Sequence, residues 1–90
     1  MLLVKQIITI FSTAYCLGGT MANGERVHAG SVASEMYPIG THILVNRSPT
    51  GRRHWVVRDH TDGRTRLDFW VPSCWSARQW GRRAVRVRRR

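Results

Sequence analysis

The sequence predicts a mainly β fold, a small β-barrel with one short helix near its carboxyl end. The chain has 90 residues, which suits a single domain with a modest core. Its apolar residues fall into short β-type runs separated by turn residues, and only one late segment has helical composition. Closure into a barrel would remove the exposed edges of such short strands. We expect one domain over residues 1–90, with a basic tail at 88–90.

The first strand is expected within residues 1–16, because the isoleucines and Phe11 favour β structure. A short signal peptide is the alternative, since an early lysine is followed by an apolar run and by small residues near Cys16. Four polar residues interrupt that run and favour the strand: Lys5, Gln6, Thr9 and Ser12. Residues 17–30 contain four glycines and an Asn-Gly pair, which indicate a loop.

Four further β-type segments follow this loop. They are residues 32–36, 42–46, 54–58 and 66–71. Pro49 and Gly51 mark a hairpin loop between the second and third of them, so those two strands should pair antiparallel. Pro72 ends the last of the four.

One helix is expected, over Cys74 to Trp80. Ser73 is a suitable N-cap, and Gly81 stands where a helix end favours a left-handed residue. Trp75 and Trp80 are five positions apart, so one should be buried and the other partly exposed. A closing strand over residues 84–88 alternates apolar residues with arginines, and should therefore have one arginine face in solvent.

Fifteen basic residues against five acidic ones give a net charge of +10. A polyanionic partner is expected, and nucleic acid, an anionic lipid surface and anionic cell-wall polymers all satisfy that charge. A solvated tail that aids solubility is the simpler alternative. No apolar run of about 18 residues is present to span a bilayer.

Cys16 and Cys74 are the two cysteines of the chain. They form either one long-range disulfide or two buried free thiols. No metal or other cofactor is expected, because neither cysteine nor histidine spacing matches a zinc site.

Six short motifs carry a resemblance to a known family. In chain order they are Thr13-Ala14-Tyr15-Cys16, Ala22-Asn23-Gly24-Glu25-Arg26-Val27, Pro38-Ile39-Gly40-Thr41, Val57-Arg58-Asp59, Arg66-Leu67-Asp68-Phe69 and Ala77-Arg78-Gln79-Trp80-Gly81. Together they resemble the three-aspartate (3D) domain over about residues 7 to 88. That family is a six-stranded double-psi β-barrel, similar to the catalytic barrel of membrane-bound lytic transglycosylase A and to rare lipoprotein A, and more distantly to expansins and family 45 endoglucanases.

The resemblance implies cleavage or binding of peptidoglycan glycan strands, with Asp59 and Asp68 as the carboxylates. The family's third aspartate is missing, and Ala33 is closest to its expected position. Glu35 could substitute only if the register slips. The loop between Asp59 and Asp68 is also shorter than in the family, which alters the expected groove.

Glycosidic bond cleavage by transglycosylation needs one group that first protonates the leaving oxygen and then accepts the muramoyl 6-hydroxyl proton. Asp68 is the candidate, because apolar neighbours and the charge of Asp59 would raise its pKa. Asp59 would stabilise the oxocarbenium-like charge. The structural alternatives are a turn aspartate at position 59 and an ion pair of Asp68 with Arg66 or Arg58. Asp62, beside Gly63, is expected to be a plain turn residue.

Side chains that could contact a glycan are Tyr15, Trp70 and Trp55 by stacking, Asn23 by hydrogen bonding, and His60 as a groove residue beside Asp59. Core packing is the expected role of at least two of the four tryptophans.

Two main hypotheses follow. One is a peptidoglycan-cleaving enzyme of lytic transglycosylase type, used in wall remodelling or in bacteriophage lysis or penetration. The other is a non-catalytic, expansin-like glycan-binding barrel, in which the missing aspartate marks lost chemistry. A nucleic-acid-binding protein is a weaker alternative, since no recognition helix or basic-aromatic module is evident. The expected location is the cell envelope or another extracytoplasmic site. A phage-encoded protein, delivered without a signal peptide of its own, is one form of this hypothesis.

Overall fold

A computed structural model describes residues 6–61 and 67–90 of the protein. Its elements, in chain order, are β1 (Ile8–Tyr15), β2 (Ser31–Ala33), β3 (His42–Val45), β4 (His54–Asp59), β5 (Leu67–Trp70), α1 (Cys74–Trp80) and β6 (Arg83–Arg89). The predicted mainly β fold with one short helix before the last strand is confirmed. Residues 1–5, where a strand and a signal peptide were both considered, lie outside the described residues, as do Asp62, Gly63 and Arg66. No helix in the described ranges is long and apolar enough to cross a membrane.

The six strands close into a barrel in the order β1-β5-β2-β4-β3-β6, which confirms the predicted closed barrel. Two neighbouring pairs are parallel, β1 with β5 and β2 with β4. The other four pairs are antiparallel, including the predicted β3–β4 hairpin. Closure comes from β6, which pairs with β1 on one side and β3 on the other.

Some strand boundaries differ from those predicted. β2 ends at Ala33, because the chain turns there and the Ser34 hydroxyl accepts a hydrogen bond from the Met36 amide at 3.0 Å. β6 runs from Arg83 to Arg89, one residue longer at each end than the predicted strand over 84–88, and so includes part of the segment assigned to a basic tail. Pairing of this segment with β3 accounts for the extension.

The core fills the barrel interior with alternating residues of the strands and with the last residue of α1. Its members are Val32, Ile43, Val45, Trp55, Val57, Leu67, Phe69, Trp80, Val85 and Val87. Trp55 is 1% exposed and packs its ring against Phe69, so its prediction as a groove residue is wrong. Trp80 is 7% exposed and Trp75 is 64% exposed, as the spacing of the two residues predicted.

Helix α1 is capped at both ends as predicted. The Ser73 hydroxyl accepts a hydrogen bond from the Ser76 amide, and Gly81 adopts a φ of 61°. The helix packs on β1 through a buried polar contact, in which the Trp80 indole donates to the Ser12 hydroxyl at 3.0 Å. That hydroxyl in turn donates to the Arg83 carbonyl at 2.9 Å, so both buried polar groups are satisfied.

Cys16 and Cys74 form a disulfide, with their Cα atoms 5.0 Å apart. The alternative of two free thiols is therefore wrong. The bond joins the residue after β1 to the first residue of α1, and so fixes the carboxyl end of β1 against the helix.

Candidate functional site

Asp59 and Asp68 lie on strands separated only by β2. In the pairing of backbone residues, Ala33 of β2 is opposite Asp68 of β5 on one side and opposite Asp59 of β4 on the other. The residue nearest to the expected third aspartate therefore lies directly between the two carboxylate-bearing residues.

A β-bulge between β2 and β4 determines which way Asp59 faces. Val32 pairs with Val57 and Ala33 pairs with Asp59, so Arg58 is an extra residue in β4. Without it, the alternation of side chains would place Asp59 on the same side as Val57, whose side chain is fully buried in the core. The bulge instead places Asp59 on the outer face of the barrel, the face to which Asp68 belongs.

Arg58 itself is held within the barrel wall. One of its guanidinium nitrogens lies 3.1 Å from both the Gly30 carbonyl and the Ser31 hydroxyl, and donates to them. This is a different partner set from the ion pair with Asp68 that was considered from the sequence. The other candidate partner, Arg66, lies outside the described residues.

Tyr15, on β1, is a third member of the site and interacts electrostatically with both carboxylates. Burial raises the pKa of its phenol to about 12, with smaller contributions from the negative charges of Asp59 and Asp68. The phenol oxygen is buried and has no hydrogen-bond partner among the described residues. Tyr15 therefore keeps its proton at neutral pH and has a hydrogen bond to donate.

Asp68 is positioned by a residue to which sequence analysis gave no role. The Thr13 hydroxyl donates to Oδ1 of Asp68 at 2.9 Å, and the two residues are directly paired between β1 and β5. Leu67 and Phe69 are buried in the core, so Asp68 and Trp70 face outward. Thr13 and Tyr15 alternate along β1 and so face the same side of the barrel. Once β1 and β5 are known to be parallel neighbours, this alternation predicts the contact between Thr13 and Asp68.

Asp59 is held by backbone amides. Its Oδ1 accepts hydrogen bonds from the Ala22 amide at 3.0 Å and from the His60 amide at 2.9 Å. The Asn23 amide donates to the Arg58 carbonyl at 3.1 Å, so the loop after β1 is fixed against the end of β4. The Asp59 side chain thus bonds its own neighbour, as the turn interpretation expects, and it also bonds a distant loop.

The remaining predicted site residues border this cluster. Trp70 pairs with Tyr15 between β5 and β1, and its indole donates to the Leu17 carbonyl at 3.1 Å. The Asn23 side chain exchanges two hydrogen bonds of 2.9 Å with Glu25, so it stabilises its own turn. His60 is exposed, and its Nδ1 lies 3.6 Å from a carboxylate oxygen of Glu35.

Glu35 therefore lies beside His60, and Ala33 holds the central position between the aspartates. Within residues 6–61 and 67–90, no group of three His, Cys, Asp or Glu side chains is arranged to hold a metal ion. We call Asp59, Asp68, Tyr15 and Thr13 the carboxylate cluster.

The barrel and this cluster define the protein as a small closed β-barrel with two carboxylates and a protonated tyrosine on its outer face. The sequence matches no known family model, and no curated protein matches it significantly.

Proposed function

We propose that this protein cleaves peptidoglycan glycan strands as a lytic transglycosylase acting on the bond between MurNAc and GlcNAc. The observation that carries the proposal is the placement of Asp59 and Asp68 on either side of Ala33, with the phenol of Tyr15 influenced by both carboxylates. The order of the six motifs that resemble the three-aspartate domain, two of which contain these aspartates, also supports it. The proposed site of action is the cell envelope, in wall remodelling or in phage lysis.

Asp68 is the proposed acid and base. It protonates the glycosidic oxygen as the bond breaks, and then takes the proton of the muramoyl 6-hydroxyl as that oxygen attacks the anomeric carbon. The Thr13 hydroxyl donates to Oδ1 of Asp68 and so fixes the orientation of the carboxyl group. The product of this sequence is an anhydromuramoyl end, with no water consumed.

Asp59 is the proposed electrostatic partner. Its two backbone hydrogen bonds fix the carboxylate, which can stabilise positive charge on the sugar ring in the transition state. Trp70, which is paired with Tyr15 between β5 and β1, offers an aromatic face to the sugar. Two carboxylates are sufficient for this chemistry, so Ala33 does not prevent it.

A non-catalytic glycan-binding barrel is the second candidate. Ala33 favours it, because a carboxylate that the related domains carry at the centre of the site is replaced here by a methyl group. On this hypothesis the carboxylate cluster and Trp70 recognise the glycan without breaking it.

Digestion of purified peptidoglycan separates the two candidates. Wild type, Asp68→Asn, Asp59→Asn and the control Glu35→Gln are compared, with soluble products resolved by mass spectrometry. Each change removes one carboxylate charge with little change in shape, but only the control lies outside the cluster. We expect anhydromuramoyl products from wild type and control, and none from Asp68→Asn. If no variant, including wild type, releases product while all sediment with the wall, the protein is a binding module.

A further inference from the structure

Among the described residues, the acidic side chains lie on one side of the barrel. The four acidic residues in the described ranges lie on β4, on β5 or in the loops flanking β2: Glu25, Glu35, Asp59 and Asp68. Strands β3 and β6, which are neighbours on the other side of the barrel order, contain no acidic residue, and neither does the loop from β3 to β4. Over the part of the chain that the structure describes, the excess positive charge is therefore concentrated on one side.

Alternation along β6 produces a basic outer surface. Val85 and Val87 are each 1% exposed and fill the core, so Arg86 and Arg88 face outward. Arg86 is paired with Thr9 of β1 and Arg88 with Leu44 of β3, which places both arginines in the middle of a three-stranded sheet surface.

This surface continues onto β3 and β4. Arg53, Arg86 and Arg88 line one groove of about 250 Å³, with Ile7 and Leu44 among its apolar walls. Nδ1 of His42 lies 2.8 Å from Nε2 of His54, and an Arg90 nitrogen lies 3.4 Å from the same Nε2. We call this surface the arginine face; it consists of His42, Arg53, His54, Arg86, Arg88 and Arg90.

Within the described ranges, no side-chain carboxylate forms a salt bridge with the arginine face. The salt bridges between described residues join His28 to Glu25 and His60 to Glu35, and none includes a residue of the face. Partial burial lowers the pKa of His54, and the positive charges of Arg90, His42, Arg52 and Arg58 lower it further. Such mutual repulsion is relieved when an anion binds.

The face has features that bind phosphate and lacks features that bind bases. Guanidinium groups form paired hydrogen bonds with phosphate oxygens. Single-stranded nucleic acids also need aromatic rings on which bases stack, and duplexes are read by an element that enters a groove. Of the six residues of the face, only His42 and His54 carry rings, which stack on each other with centroids 5.0 Å apart, and no helix contributes to it.

We propose that the arginine face binds a cell-wall polymer of the teichoic acid type, a chain of polyol units joined by phosphodiesters and carrying no bases. The choice of a wall polymer rests on the proposed function, whereas the phosphodiester chemistry rests on the face itself. Because β3 and β6 lie across the barrel from β5 and β2, the polymer and a glycan at the carboxylate cluster can be bound together. Asp59 and Asp68 repel a polyanion, so the polymer binds at the arginine face and not at the carboxylate cluster.

Binding of fluorescently labelled poly(glycerol phosphate) tests the proposal. Affinity is measured at several salt concentrations for wild type, for Arg86→Gln/Arg88→Gln and for the control Arg26→Gln/Arg78→Gln, which removes the same charge from exposed positions away from the face. We expect the face variant to bind roughly tenfold more weakly and its dependence of log affinity on log salt to be less steep by about 0.7 per lost phosphate contact. The control should retain affinity within about twofold.

Three outcomes would overturn the proposal. Equal weakening by both double variants would mean that net charge alone binds the polymer. Tighter binding to duplex or single-stranded DNA, lost in the face variant, would assign the face to nucleic acid. Binding to vesicles with anionic lipid but not to the polymer would assign it to a membrane.

Digestion of polymer-free peptidoglycan separates this proposal from the proposed function. The face variant should release the same products as wild type, because the carboxylate cluster is untouched. If wild type releases no product yet binds the polymer through the face, the enzyme proposal fails and the polymer proposal stands.

Discussion

The hydroxyl of Thr13 donates a hydrogen bond of 2.9 Å to Oδ1 of Asp68, between two strands whose paired residues are 55 positions apart in sequence. The bond spans the parallel pair β1 and β5, where the two residues are directly opposite. It orients the carboxylate that the proposed mechanism uses twice, first as acid and then as base. Thr13 is therefore a positioning residue, because it acts on the substrate only through Asp68.

Replacing Thr13 with valine should lower kcat of glycan cleavage roughly tenfold, because loss of one hydrogen bond to a charged group costs about 1.5 kcal/mol. KM should change little, since valine keeps the shape of threonine. Thr9→Val is the matched control, as Thr9 is exposed on the same outward side of β1. Steady-state kinetics on a soluble glycan oligomer give both constants, and an equal loss of kcat in both variants would contradict the positioning role.

The phenol of Tyr15 should ionise only near pH 12, because burial and the charges of Asp59 and Asp68 raise its pKa to about 12. An unfolded chain ionises tyrosine near pH 10, so between about pH 10 and 12 the unfolded state has released a proton that the folded state retains. The free energy of unfolding should consequently fall as the pH rises through this window.

Ultraviolet difference spectroscopy follows the ionisation directly. Tyr37 is the only other tyrosine, and burial raises its pKa as well, with Arg89 opposing the shift, so Tyr37→Phe isolates Tyr15. In that background Asp59→Asn should bring the ionisation of Tyr15 to lower pH. An unchanged titration would mean that the two side chains are further apart than the fold places them.

Ala33→Asp tests the central position of the cluster. Ala33 is 3% exposed and lies between Asp59 and Asp68, so an added carboxylate would be desolvated and repelled by two like charges. We expect destabilisation of about 2 kcal/mol or more at neutral pH relative to Ala33→Asn, which introduces the same shape without charge.

The difference in stability between Ala33→Asp and Ala33→Asn should depend on pH. Burial and like charges raise the pKa of the new carboxyl in the folded state, so the folded state holds its proton more tightly than the unfolded state. The deficit of Ala33→Asp against Ala33→Asn should be small in acid and grow as the pH rises above about 4. Urea unfolding at several pH values measures it, and a deficit that does not vary with pH would place the new side chain in solvent.

Removal of the Cys16–Cys74 bond should destabilise the domain by about 4 kcal/mol in the chain-entropy account, given a sequence separation of 58. Cys16→Ser/Cys74→Ser and the reduced wild type should unfold at similarly reduced urea concentrations. Because Cys16 follows Tyr15 directly, glycan affinity should fall together with stability. A loss of stability below about 1 kcal/mol would show that the loop after β1 is already held by its other contacts.

Local patterns were sufficient to predict the strands, the helix caps and the exposure of Trp75 and Trp80. Alternation and turn residues act over a few positions, and they are visible in any sequence. The partners of each strand were not predictable in this way, since β1 pairs with two strands from the far end of the chain. The burial of Trp55 was missed for the same reason, because it depends on the ring of Phe69 opposite.

The candidate site was likewise predictable only in part. Asp59 and Asp68 were found through the resemblance, and Tyr15 through its aromatic ring. Thr13 and Ala22 were missed, because a threonine hydroxyl and a backbone amide have no distinguishing sequence pattern. The bulge at Arg58, on which the outward direction of Asp59 depends, is a property of two paired strands and cannot be read from one of them.

The strand order also means that the partners of β1 are synthesised late. Both hydrogen-bonding neighbours of β1 are made after residue 66, and closure requires β6, the final strand of the barrel. While a ribosome is still translating the middle of the chain, β1 has both of its edges open and no native partner. Such an edge can pair with another nascent chain, so productive folding depends on finishing translation before neighbouring copies meet.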